Sequence, residues 1–151
     1  MSAAGSKPAL LDVNVLIALI DPAHEFHAQA HLWFARNRRQ GWATCPITQN
    51  GCLRILSNPG YPLTGLTVEQ VREILTQLVA VEGHRFWPDS VTFLEKGQFD
   101  LAGAAAKNLT DLYLLRLALA FHGRFVTFDR TIRWQRVTSC DAGDLEVLPS
   151  A

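Results

Sequence analysis

Short apolar runs alternate with amphipathic stretches along nearly the whole chain, and no other sequence feature narrows the possible folds as far. The apolar runs fall at residues 8–12, 42–47, 84–87, 124–128 and 145–148. Between them, apolar residues recur at helical spacing: Phe26, Ala30, Trp33 and Phe34 within 24–40, then Cys52, Leu53, Ile55 and Leu56 after a cap at Thr48. Val71, Ile74, Leu75, Leu78 and Val79 follow Thr67 and Gln70, which have capping-box spacing. Thr110 is placed to cap a helix over 111–122 that Gly123 ends. Residues 13–20 fit a strand or a short helix capped by Asn14. Helices are also expected over 90–96 and in part of 100–107. Strands that alternate with helices require a parallel sheet covered on both faces. Right-handed crossovers then favour the order 3-2-1-4-5 for about five strands. The result is a three-layer α/β fold in which strands one and four are neighbours, with a switch point at their C-terminal ends. Residues 8–149 read as a single domain and residues 1–7 as a loose, flexible tail.

Composition excludes several classes. With 14 Lys+Arg against 14 Asp+Glu in 151 residues, a nucleic-acid partner would have to meet local rather than global positive charge. Three cysteines without a CxxC pair argue against a disulfide scaffold and for a reducing, cytoplasmic setting. The apolar run at 9–20 is interrupted by Asp12 and Asn14, which makes it too short and too polar to span a membrane.

The acids are placed tellingly. Asp12 ends the first strand, Asp129 follows the fourth, and Asp111 opens the helix that leads into it. In this topology all three meet at one crevice, although 99 and 18 residues separate them along the chain. Carboxylates gathered this way repel: at ~4 Å and an effective dielectric of ~20, each close pair costs roughly 4 kcal/mol. Protons or a cation must compensate, and an all-oxygen donor set suits Mg²⁺, with Mn²⁺ as the alternative. Each acid also has a plainer role as a helix cap or dipole partner. The functional reading rests on their coincidence.

The stretches LLDVNVLIALID, CPITQNGCLRILSNPGYP and LTDLYLLRLALAFHGRFVTFDR together resemble a PIN-domain ribonuclease of the VapC toxin type, over about residues 8–149. The resemblance implies a PIN-like fold with the sheet order above and a metal-dependent endoribonuclease that hydrolyses RNA phosphodiesters, with tRNA or other structured RNA favoured. It places Asp12, Asp111 and Asp129 on the catalytic, metal-binding acids, and Asn14 and Thr127 on supporting polar positions. It further implies a homodimer and a cognate small VapB-like antitoxin. One position departs from the pattern: related toxins usually carry a Glu in a TENG-like stretch, which here reads Thr48-Gln49-Asn50-Gly51. Gln49 and Asn50 can offer an amide oxygen to a metal or its water but no negative charge. The alternative reading is therefore a PIN-like RNA- or antitoxin-binding module with little or no turnover.

Between Asp111 and Arg136 the sequence carries five arginines against two carboxylates. Of these, Arg116, Arg130 and Arg133 are the candidate RNA-binding residues, with Arg124 and Arg136 near them in sequence. His24, His27 and His31 share a helix face, which raises the question of zinc. No Cys completes a set there, and Glu25 points elsewhere on the helix, so a packed face is the simpler reading. The four tryptophans are expected to anchor the core or an interface.

Overall fold

The computed structural model describes residues 7–62 and 65–149. Five parallel strands, β1 (Ala9–Leu11), β2 (Trp42–Thr44), β3 (His84–Phe86), β4 (Arg124–Thr127) and β5 (Leu145–Val147), form one sheet in the order β3-β2-β1-β4-β5. This is the expected order, with β1 and β4 in register at its centre (Leu10 beside Phe125, Leu11 beside Val126). Both strands are buried on both faces, which is why their sequences read as continuous apolar runs rather than alternating ones.

Among the described residues five α-helices cover the sheet: α1 (Val13–Ile20), α2 (His27–Asn37), α3 (Pro46–Leu56), α4 (Val68–Val79) and α5 (Leu109–Ala120). Ala9, Leu11 and Val126 pack toward α1–α4, while Leu10 and Phe125 pack toward α5. Each face therefore has its own apolar cluster, and the helices lie on both sides as the alternation requires. Among the described residues no helix is long and apolar enough to cross a membrane.

Several boundaries differ from expectation, each for a physical reason. The run at 13–20 is a helix, and Asp12 rather than Asn14 caps it, accepting the Val13 N–H at 2.7 Å. Helix α2 starts at His27, because the preceding turn is closed by the Phe26 N–H donating to the His24 ring at 3.0 Å. Cys45 caps α3 with Pro46 at its first position, and Thr48 supplies the reciprocal bond by accepting the Cys45 N–H at 3.0 Å. Helix α5 begins at Leu109 behind Asn108, ahead of the expected Thr110 cap.

Residues 90–96 form no helix, and the 100–107 region holds only a single 3-10 turn at Ala106–Asn108. Gly97 and Gly103 take positive φ there, Phe99 bridges to Val137, and the Arg136 guanidinium takes up the carbonyls of Asp100 and Ala102. The backbone groups of this segment thus find partners outside a helix. Apart from Lys7, whose ammonium donates to Asp144 at 3.0 Å, the expected N-terminal tail lies outside the described residues.

Candidate active site

Asp12 is the residue after β1. Its N–H continues the ladder to the Val126 carbonyl at 2.9 Å, so its position is set by the centre of the sheet. One carboxylate oxygen caps α1, and the other accepts the Thr127 hydroxyl at 2.7 Å. The side chain is buried, and that burial pushes its pKa up against the two hydrogen bonds, with Asp129 adding repulsion.

Asp129 lies two residues beyond β4. Its N–H donates to Thr127 Oγ1 at 3.0 Å, and its Oδ1 accepts both the N–H and the hydroxyl of Thr131, at 2.8 and 2.7 Å. Partial burial raises its pKa, but the Thr131 donors and a hydrogen bond from Asp111 outweigh this and hold it below the ordinary value. Asp111, in the first turn of α5, is half-buried and pushed up to about 7, first by burial and then by the charges of Asp12 and Asp129. The two carboxyls therefore shift in opposite directions, Asp111 up and Asp129 down.

Asn14 ties the frame together. Its amide donates to Thr127 Oγ1 at 3.2 Å and its oxygen accepts the Phe128 N–H at 3.3 Å. Thr131 is not among the residues singled out from sequence, although the Asp-x-Thr spacing at 129–131 is a recognisable local hydrogen-bonding signal.

The structure thus brings Asp12, Asp111, Asp129, Asn14 and Thr127 together. The hydrogen bond of Gln49 and the surroundings of Asn50 involve other groups. The Gln49 amide donates to Thr44 Oγ1 at 2.9 Å, beside a His84 ring that meets the same hydroxyl. Asn50 is exposed in the groove between α3 and α4, next to Leu53 and Arg54. Both residues also line the groove between α3 and α4, with Leu75 and Val79 across it.

The arginines also divide. Arg133 lines a small recess with Asp111 and Asn108, and both Arg133 and Arg130 are exposed. Arg116 is half-buried, and its Nη1 donates to the Thr138 carbonyl at 2.9 Å while its buried Nε finds no hydrogen-bond partner among the described residues. Arg136 is a similar brace. Arg124 sits at the opposite end of β4 from the acids, buried against Glu146 at 3.0 Å. The rings of His27 and His31 meet the carbonyls of Ala18 and Leu19 at 2.7 and 2.8 Å, fastening α2 to the end of α1.

The acids at the crevice offer oxygen donors and crowd negative charge on one another, which is the chemistry a hard divalent cation accepts. Among the described residues they are not drawn into a closed ligand set around one point.

No family model matches the chain. Over 125 residues it is 43% identical to Ribonuclease VapC44 of Mycobacterium tuberculosis, covering 82% of this chain and 87% of that protein. It is 41% identical over 141 residues to Ribonuclease VapC39 of the same organism, covering 93% and 99%. With Ribonuclease VapC38, also from that organism, the identity is 40% over 121 residues, covering 80% and 84%.

Proposed function

The chain belongs to the VapC family of ribonucleases, and from that premise we propose that it is the endoribonuclease toxin of a toxin–antitoxin pair, acting on tRNA or other structured RNA with Mg²⁺ or Mn²⁺ held by Asp12, Asp111 and Asp129. The observation that carries this reading is the convergence of three carboxylates from the ends of β1 and β4 and the start of α5, with both Asp12 and Asp129 acting electrostatically on Asp111.

The chain's own residues have distinct tasks in this reading. The Thr127 hydroxyl fixes the orientation of Asp12, and Thr131 fixes that of Asp129. Asp111 gives up its proton when positive charge enters the crevice. Arg130 and Arg133, exposed beside it, hold the flanking phosphates of the RNA. A divalent ion bound there would supply Lewis acidity toward the phosphodiester and lower the pKa of the attacking water. A small VapB-like antitoxin would silence the site by sending a basic side chain among the carboxylates. The same reading makes the toxin a cytoplasmic homodimer.

Incubation with total tRNA and Mg²⁺ or Mn²⁺ tests it. Cleavage by the wild type that disappears in Asp12→Asn and in a chelator is the expected result. Retained RNA binding without cleavage under any divalent ion would instead favour the non-catalytic binding module.

A further inference from the structure

The aspartates and arginines account for phosphate and metal, but none of them grips a base. Of the tryptophans, Trp33, Trp42 and Trp87 are buried, and Trp134 packs against the apolar cluster under α5. We propose that the rings of Phe26 and Phe128, extended by His24, form a platform on which a nucleobase next to the scissile phosphate stacks. This inference rests on the ribonuclease reading above.

Phe128 stands in the chain between Thr127 and Asp129, and its N–H is held by Asn14, which also donates to Thr127. The backbone that carries the ring is thus tied to the hydroxyl that orients Asp12. The Phe26 ring lies nearly parallel to that of Phe128, with centroids 4.7 Å apart and planes 16° apart. His24 lies 6.4 Å from Phe128 at 28°, and its ring is fixed by accepting the Phe26 N–H. Both phenylalanines rest one side on the apolar cluster under α1–α4, without being enclosed as Phe125 and Phe34 are, at 0% and 5% exposure. Phe26, Phe128 and His24 are all left partly exposed.

Partly open, near-parallel rings are suited to stacking an unpaired base, an interaction that tolerates any sequence because every base has a π face. Consecutive Cα atoms are about 3.8 Å apart. A nucleotide whose phosphate is drawn beside Asp129 by a bound cation would have its own or its neighbour's base close to Phe128.

The test uses an oligoribonucleotide of mixed sequence containing 2-aminopurine, bound to the full chain in an Asp12→Asn background so that it is not cut. Fluorescence quenching reads stacking and anisotropy reads affinity. Phe128→Leu is expected to abolish the quenching and weaken binding about tenfold, the scale of one lost stacking contact. Phe128→Tyr keeps both, and Phe26→Leu gives a smaller loss in the same direction. In the otherwise wild-type chain, Phe128→Leu should raise KM for RNA cleavage while leaving Mn²⁺ affinity intact. Unchanged quenching and affinity in both leucine variants would overturn the platform while cleavage by the wild type still supported the ribonuclease. Loss of Mn²⁺ affinity alongside RNA affinity would overturn it too, by showing that the ring merely supports the acids. A wild-type chain that neither bound nor cut RNA would overturn both readings together.

Discussion

At Thr127 a single buried hydroxyl serves three partners: it donates to Asp12 and accepts from the Asp129 N–H and the Asn14 amide. Thr127→Val keeps the shape and removes all three bonds. With buried polar groups left short of partners, the expected cost is about 1–3 kcal/mol in urea unfolding, with weaker Mn²⁺ binding by titration. Asp111 makes a prediction about pH. Its pKa rises from 3.8 to about 7 on folding, so between those values the folded chain holds a proton that the unfolded chain has lost. This contribution is therefore fully present below pH 3.8 and fades as pH rises toward 7. Metal-free protein should show a lower urea midpoint at neutral pH than near pH 5. Asp111→Asn should flatten that slope, and Mg²⁺ should stabilise the wild type more at the higher pH. Equal slopes for wild type and Asp111→Asn would show that the carboxyl does not sit among buried charges.

Among the elements, α1 shows why periodicity alone leaves strand and helix open. Its residues Val15 to Leu19 are all buried, pressed between the sheet and neighbouring helices, so no polar face marks the helical period. The end of β1 decides the matter, because Asp12 caps the run. The segment 90–107 misleads in the opposite way, since its composition suits a helix while Arg136, thirty-odd positions later, takes its carbonyls. The turn before β3 is the most tightly constrained junction. Gly83 has φ +94°, and a Cβ there would collide with the Arg38 carbonyl. Gly83→Ala should destabilise the chain by about 1–3 kcal/mol through backbone strain, measured as a drop in Tm.

For the whole molecule, zero net charge means that RNA binding depends on a few placed cations rather than on a general field. Arg133→Met should weaken RNA binding and reduce the slope of log affinity against log salt by about one. Arg116→Met should change that slope less, because this side chain is half-buried and its Nη1 already donates to the Thr138 carbonyl. Equal effects of the two would contradict this division of roles. The sheet order and the placement of the acids at strand ends are legible in the amino-acid sequence by itself, because alternation and crossover handedness are properties of the chain, whereas Asn14 and Thr127 are singled out only by the family resemblance. The tertiary structure alone decided that Thr127 orients Asp12 across 115 positions, that Gln49 turns toward Thr44, and which arginines stay exposed. Those outcomes depend on partners brought together only when both faces of the sheet close, and a local window of sequence carries no record of which distant group will fill a side chain's hydrogen bonds.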